Sequence, residues 1–295
     1  MKFKKQFLLL LLIFSMSGFL LFLFYSTETV SLDSTELQKL PKKIIFIKTV
    51  GEFGIEPKQF DNPKGMDFFN EKLYVLDTNN NRLQIFSKNL DLLSVLPLTI
   101  NDAKGIAITN EKIFVAETYA YIIKSFDHTG NFLNNFSVTW THDLLADDNF
   151  VYVIEPLIES IQVYDHNGNL SYTINGIKNL HYITSNDQYF IASGTHIAHD
   201  PHELVIIDKE KKNIEQRFST SPGTTFGSAV TENNIFLLDD GVVKIYDFNG
   251  NLLLEYLIET PSPDSSLSQI QINENILYVL DSYGNNIYML EIIYE

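Results

Sequence analysis

Short apolar runs alternate with polar turns along most of the chain, and this alternation returns six times. The best-preserved copy is Gly65–Ser87, in which the runs Met66–Phe69, Leu73–Leu76 and Leu83–Phe86 are separated by polar residues. Apolar runs of this length, bounded by Asn, Asp and Gly, are typical of strands joined by short turns. The pattern therefore predicts a repeated strand–turn–strand unit.

The six copies are separated by steps of 40, 38, 38, 46 and 42 residues when the starts of their second runs are aligned. These second runs are Leu73–Asp77, Ile113–Glu117, Val151–Glu155, Tyr189–Ser193, Ile235–Asp239 and Leu277–Asp281. Each copy predicts four strands, and four strands at a period near 40 are typical of a β-propeller blade. The sixth copy reaches Glu295 after its third strand, so we expect residues 43–50 to supply its fourth and close the ring. The predicted fold is an all-β, six-bladed β-propeller over residues 43–295.

The first 25 residues predict an export segment. Lys2, Lys4 and Lys5 precede the apolar run Phe7–Tyr25, which is about long enough to cross a bilayer as a helix with its N-terminus inside. The small residues at 15–17 leave a cleaved signal peptide as the alternative. We favour an uncleaved signal-anchor at 1–25, followed by a linker at 26–42. The predicted location is membrane-anchored and extracytoplasmic, in the periplasm or at the cell surface.

Charge and cysteine content narrow the possible functions. The formal net charge is -16, which argues against a nucleic-acid partner because phosphates require Lys and Arg patches. The absence of cysteine excludes disulfides, thiolate metal sites, a cysteine nucleophile and a lipid-modified cysteine anchor. We find no nucleophile elbow, phosphate loop or dinucleotide fingerprint, so the catalytic residues of any activity stay unknown.

The first copy resembles an NHL repeat. Gly51–Gly54 gives the Gly-rich lead, Lys58–Gly65 carries the Phe and Pro before the first strand, and Asp77 and Arg82 flank the turn after the second. The other copies depart from this pattern, for example at Asn286, which stands where the first copy has Arg82. The resemblance implies a six-bladed propeller similar to bacterial extracytoplasmic propellers, with its ligand site on the face where strand one begins. It also implies that a helix serves here as the anchor.

Histidines on that face predict a possible metal site. His142 and His181 lie at the starts of the third and fourth blades, and a longer loop in the fourth copy contains His196, His199 and His202. Imidazole is a good zinc ligand, and the resemblance implies that some propeller lyases hold zinc in this way. The alternative is a surface loop with unrelated histidines.

Acidic residues end most second strands, at Asp77, Glu117, Glu155, Asp239 and Asp281. Carboxylates could hold calcium, as the resemblance implies for lactonase-type propellers. An acid at a strand end more often accepts hydrogen bonds from backbone N–H groups of its turn. We favour this capping role.

Four further residues are expected on the binding face: Tyr119, Tyr121, Trp140 and Asp143. Exposed tyrosine is common at interfaces, whereas the aromatic residues that recur at one blade position are expected in the core. The favoured hypothesis is a module that binds or scaffolds a protein, peptide or glycan at the outer face of the membrane. The alternative is a metal-dependent lyase or hydrolase that uses the histidines.

Overall fold

The computed structural model describes residues 7–11, 22–26, 40–194, 203–220, 225–260 and 265–295. The chain divides into one unit at residues 1–39 and a second at residues 40–295. In the first unit, strand β1 (Phe7–Leu11) pairs antiparallel with strand β2 (Phe22–Ser26). The sequence predicts a helix there, but these ten residues form strands. Apolar runs of five residues suit either structure, and antiparallel pairing supplies the backbone hydrogen bonds that a helix would otherwise provide.

No helix in the described residues is long and apolar enough to cross a membrane. The predicted linker, residues 26–42, lies almost wholly outside the described residues, apart from Ser26 and residues 40–42. Strand β3 (Pro41–Val50) begins the described part of the second unit.

Six four-stranded antiparallel sheets form the second unit. Each of the first three blades adds its strands in chain order. Blade 1 contains β4 (Gly65–Phe69), β5 (Lys72–Asp77), β6 (Arg82–Ser87) and β7 (Leu92–Pro97). Blade 2 contains β8 (Ala103–Ile108), β9 (Ile113–Glu117), β10 (Ile122–Phe126) and β11 (Phe132–Ser137). Blade 3 contains β12 (Leu144–Ala146), β13 (Phe150–Glu155), β14 (Ser160–Asp165) and β15 (Leu170–Asn175).

The last three blades follow the same plan, except that the outer strand of blade 6 comes from β3. Blade 4 contains β16 (Tyr182–Ser185), β17 (Tyr189–Ser193), β18 (Glu203–Asp208) and β19 (Asn213–Ser219). Blade 5 contains β20 (Thr225–Val230), β21 (Ile235–Asp239), β22 (Val242–Tyr246) and β23 (Leu252–Leu257). Blade 6 contains β24 (Leu267–Asn273), β25 (Ile276–Asp281), β26 (Asn286–Tyr294) and β3. Short 3₁₀ turns at Thr118–Ala120 and Pro156–Ile158 connect the second and third strands of blades 2 and 3.

The predicted closure of the ring is confirmed. Strand β3 pairs antiparallel with β26 from Val50 opposite Ile287 to Pro41 opposite Tyr294. Ile44 of β3 is buried in the cluster that joins blades 5 and 6. The fold is therefore the predicted six-bladed β-propeller.

The core lies between neighbouring blades. The aromatic residues at the second position of each second apolar run are all buried, as the repeat pattern predicts: Tyr74, Phe114, Tyr152, Phe190, Phe236 and Tyr278. Hydrophobic clusters link the inner three strands of one blade to those of the next. Burial of this repeated apolar surface is the main force that holds the blades together. It also fixes the positions of the inner strands, which surround the centre of the ring.

Candidate functional site

A cavity of about 260 Å³ lies at the centre of the ring, where the inner strands begin. Its lining comes from all six blades and from the loops that lead into them. The lining residues are Asn62, Lys64, Lys104, His142, Asp143, Tyr182, Phe226, Ser266, Ser268, Gln269, Ser282 and Tyr283. The volume lies just below the 300–1,000 Å³ of typical ligand pockets. The cavity therefore suits a small ligand, or one end of a larger one.

One equivalent position in each blade supplies half of this lining. It is found from the inner-strand residue that lies opposite the fourth residue of the second apolar run, as Gly65 lies opposite Leu76 in blade 1 and Gly105 opposite Ala116 in blade 2. The equivalent position is the residue directly before that inner-strand residue. We call these six residues the mouth ring: Lys64, Lys104, His142, Tyr182, Phe226 and Ser268.

β-Bulges aim three members of the mouth ring into the cavity. Lys104, Phe226 and Ser268 are each the residue that the inner strand skips in its pairing with strand two. A bulge leaves its extra residue outside the ladder and re-aims its side chain. Side chains of quite different chemistry can therefore project from the same backbone position.

Glycine follows the mouth ring in blades 1 and 2 because neighbouring inner strands approach closely there. A Cβ on Gly65 would lie 2.5 Å from the Lys104 carbonyl oxygen. A Cβ on Gly105 would lie 2.9 Å from the His142 carbonyl oxygen and 2.6 Å from Cδ2 of Leu144. These two glycines hold Lys64, Lys104 and His142 near one another around one side of the cavity.

The two lysines of the mouth ring differ in their partners. Lys64 forms an ion pair with Asp102. Lys104 forms no ion pair with any described residue: its Nζ lies 3.4 Å from the Tyr119 hydroxyl and 3.4 Å from Nε2 of His142, and 4.7 Å from the centre of the Tyr119 ring. Lys104 thus brings to the cavity a positive charge that forms no ion pair with a carboxylate of the described residues.

Two buried carboxyl groups lie at the inner strands: Asp67 within β4, and Asp143 directly before β12. Asp143 accepts a hydrogen bond from the Ile183 N–H at 2.9 Å, and Asp67 accepts one from the Ile108 N–H at 2.8 Å. Burial raises the pKa of Asp143 to about 7 and that of Asp67 to about 6, and the hydrogen bonds only partly oppose this. Each carboxyl group ties its own blade to the inner strand of the next blade.

The predicted metal ligands are only partly described. The rings of His142 and His181 lie 5.7 Å apart, and Trp140 contacts both, at 4.2 Å from His142 and 5.4 Å from His181. The structure therefore brings together two of the predicted histidines. His196, His199 and His202 lie outside the described residues. Within the described ranges, no group of three or more His, Asp or Glu side chains is arranged to hold a metal.

The residues predicted for the binding face fall into two sets. Asp143 lines the cavity, and Trp140 packs against His142, which also lines it. Tyr119 is 62% exposed on the 3₁₀ turn of blade 2, and Tyr121, directly after that turn, is 51% exposed. Because the Tyr119 hydroxyl reaches Lys104, this turn extends the cavity lining outward.

The acids that end the second strands are structural in blades 1, 2, 3 and 6. Each accepts an N–H from the loop that leads into its own blade, whereas the role that we favoured was capping of the turn that follows the acid; Asp281 also accepts such a bond, from the Gly284 N–H. The pairs are Asp77 with Asp61, Glu117 with Asn101, Glu155 with Thr139, and Asp281 with Ser266. Side chains of the third strand are also bonded to them, as in the 2.7 Å contacts of Arg82 with Asp77 and Lys124 with Glu117.

Sequence reasoning missed most of the mouth ring. It singled out His142, but it did not select Lys104, Tyr182, Phe226 or Ser268, and it placed His181 where the structure has Tyr182. It also missed Asp67. The glycines Gly65, Gly105 and Gly227, each one residue past a ring position, were the available signal in three blades.

Comparison with known proteins gives the fold. A chain of Kuenenia stuttgartiensis hydrazine synthase matches with a TM-score of 0.57 at 10% identity, over 79% of this chain and 96% of that one. Streptogramin B lyase matches with a TM-score of 0.57 at 14% identity, over 77% of this chain and 78% of that one. The shared feature is the propeller. No protein-family model matches the sequence, and no curated protein does, so the NHL resemblance of blade 1 stays a prediction.

Proposed function

We propose that this protein is a binding module that holds one end of a protein, peptide or glycan chain in the mouth of the propeller. The observation that carries the proposal is the mouth ring, in which six blades each present one side chain around one cavity, and these side chains are of five residue types. If these positions served only to hold the ring together, small or apolar residues would suffice. Here they include two lysines, a histidine and a tyrosine.

We further propose that the module works at the outer face of a membrane, anchored by its N-terminal segment. The support is the sequence: three lysines precede the apolar run of residues 7–25, a pattern typical of a signal-anchor. Fractionation of cells that produce the full chain tests this. We expect the chain in the membrane pellet after a high-salt wash, and a variant without residues 1–39 in the soluble fraction. Recovery of the full chain in the cytosolic fraction would contradict the proposal.

Partner capture tests the binding role. The full chain, solubilised in detergent, is compared with Lys104→Glu and with the control Lys72→Glu, which makes the same charge change at an exposed position where strand β5 begins. We expect a partner that the wild type and the control retain and that Lys104→Glu loses. A partner retained equally by all three chains does not use the cavity and would refute the proposal.

A metal-dependent lyase or hydrolase is the second candidate, favoured by the closeness of His142 and His181. Two imidazoles on one tetrahedral zinc have ring centres roughly 5 Å apart, given Zn–N bonds of about 2 Å, and these two lie 5.7 Å apart. The further ligands would come from His196, His199 and His202. Elemental analysis of the purified full chain tests this, because metal at one equivalent that falls in His142→Ala would support it. The metal-site hypothesis would be refuted if the purified protein contained no metal and its melting temperature did not change when zinc or a chelator was added.

A further inference from the structure

The mouth ring has two chemically different sides. The inner strands contact one another in blade order and close on themselves, β4 to β8, β12, β16, β20, β24 and back to β4. Blades 1 to 3 contribute Lys64, Lys104 and His142, whereas blades 4 and 5 contribute Tyr182 and Phe226. In a ring of six, blade 2 faces blade 5, so Lys104 and Phe226 project from opposite walls.

Lys104 is the cation best placed to receive a ligand. Asp102 already pairs with Lys64, whereas the neighbours of Lys104 are the Tyr119 hydroxyl and His142. An ammonium group has three donors, and its hydrogen bonds to a carboxylate, in which both partners are charged, are among its strongest. Among the described residues no carboxylate forms such a bond with Lys104, so an incoming acid group would find the strongest unfilled interaction of the cavity here.

The opposite wall suits an apolar group. Phe226 lines the cavity and also packs against the core cluster between blades 5 and 6. Tyr182 lies beside it in blade 4, and burial raises the pKa of its hydroxyl. Two aromatic side chains on one wall offer an aromatic ligand face-to-edge or offset contacts. Ser268 in blade 6 leaves room between the two walls because its side chain is small.

We propose that the mouth ring binds a carboxylate that carries an aromatic or large apolar side chain, which is the chemistry of the carboxy-terminal residue of a peptide. The acid group lies at Lys104 and the apolar side chain packs against Tyr182 and Phe226. This inference rests on the proposed binding function and specifies its ligand as a peptide end. The cavity of about 260 Å³ is matched to one residue rather than to a folded surface.

Three small probes and calorimetry test the inference on the full chain in detergent: N-acetylphenylalanine, its neutral amide, and N-acetylglycine. We expect the acid to bind about 10-fold more tightly than the amide, since that is the usual advantage of a charged hydrogen bond over a neutral one. We expect N-acetylglycine to bind at least about 10-fold more weakly than N-acetylphenylalanine, because it lacks the apolar side chain. A detergent blank measures partition of each probe into micelles.

Variants assign the two halves of the ligand. Lys104→Gln is expected to remove the preference for acid over amide, whereas the control Lys72→Gln keeps it. Phe226→Leu, which preserves bulk in the packed wall, is expected to reduce the preference for phenylalanine over glycine at least about 3-fold. The tripeptide Ala-Ala-Phe distinguishes two ligand types. If the site takes a peptide end, Ala-Ala-Phe binds at least as tightly as N-acetylphenylalanine; if the site takes a free small acid, N-acetylphenylalanine binds more tightly than Ala-Ala-Phe.

Three results would overturn the inference. They are no binding of N-acetylphenylalanine at about 10 mM, which is ten times a millimolar dissociation constant, equal binding of the acid and the amide, and a preference for the acid that persists in Lys104→Gln. A site selective for the free small acid over Ala-Ala-Phe would also overturn it. These failures are separable from failure of the proposed function. A partner captured through the mouth ring, together with silent probes, would leave the binding role standing and reject only the ligand class.

Discussion

We expect the loss of the Asp77 side chain to destabilise one part of the fold, the loop at residues 51–64 and the turn of blade 1. Its fully buried carboxylate accepts from Arg82 Nε at 2.7 Å, from the Asp61 N–H at 2.8 Å, and from Asn80 and Gln84 side chains. Arg82 in turn donates to carbonyl oxygens of Ile55, Glu56 and Gln59. The pair therefore ties the loop at residues 51–64, which supplies Lys64 to the mouth ring, to the turn of blade 1.

The Asp77→Ala change removes one partner of a buried ion pair, which commonly costs 3–5 kcal/mol. Arg82 keeps its carbonyl acceptors, and its side chain is 13% exposed, so we expect about 3 kcal/mol. For a domain of this size that corresponds to a melting temperature roughly 6–12 °C lower. Arg82→Met alone and together with Asp77→Ala completes a double-mutant cycle, in which we expect a coupling of at least about 1.5 kcal/mol.

Thermal unfolding followed by circular dichroism measures these changes, and hydrogen exchange shows where they act. Amides in residues 51–64 should exchange faster in Asp77→Ala while those in blade 4 stay protected. Glu71→Gln is the control, because it breaks the exposed pair with Lys88 and should move the melting temperature by no more than about 2 °C. If Asp77→Ala matched Glu71→Gln, the structural role of the carboxylate would be wrong.

Three further changes test the ring. Gly105→Ala places a methyl group 2.6 Å from Leu144 Cδ2. This overpacking should lower the free energy of unfolding by about 1–3 kcal/mol and weaken the binding of any mouth-ring ligand. A urea unfolding curve identical to that of the wild type would contradict this close approach. Asp67→Asn keeps the acceptor for the Ile108 N–H. Because the pKa of Asp67 is raised to about 6, the wild type loses stability as pH rises from about 4 to 6, so the variant should be as stable as the wild type near pH 4 and more stable by up to about 3 kcal/mol at pH 7. A stability difference that does not vary with pH would refute the raised pKa. Ile44→Asp puts a charge at a position that is 6% exposed, so it should open the ring and unfold the protein at 25 °C or below. The control Ile47→Asp changes a residue that is 42% exposed on the same strand, and this variant should remain folded by gel filtration and circular dichroism.

The blade architecture could be predicted from sequence because each blade repeats one periodic pattern. The apolar runs Leu73–Leu76 and Leu83–Phe86 lie within strands β5 and β6, and the closing strand predicted at residues 43–50 lies within β3. Such long-range closure was predictable only because the sixth copy lacked a partner for its third strand. Repetition thus supplied the long-range information that a single strand pattern does not contain.

The mouth ring could not be predicted because it depends on strand register. A shift of one residue turns a side chain to the other face of a strand, which is why His181 was chosen where Tyr182 lines the cavity. The bulge at Lys104 leaves no signal in the alternation of apolar and polar residues. The positive charge opposite an aromatic wall becomes visible only when six sequence-distant positions are placed around one centre.

Ring closure by β3 has a consequence for the order of folding. Residues 41–50 are synthesised before every blade, yet their partner β26 is made only after blades 1 to 5. Loop-closure entropy grows only slowly with length, so the stability of the final pairing suffers little, but contacts this distant in sequence form slowly. Until β26 arrives, β3 is an unpaired strand, and a newly made chain can donate it to the sixth blade of a neighbouring molecule. Domain-swapped assemblies joined through β3 are therefore the misfolded products that we expect this propeller to form when many copies fold at once.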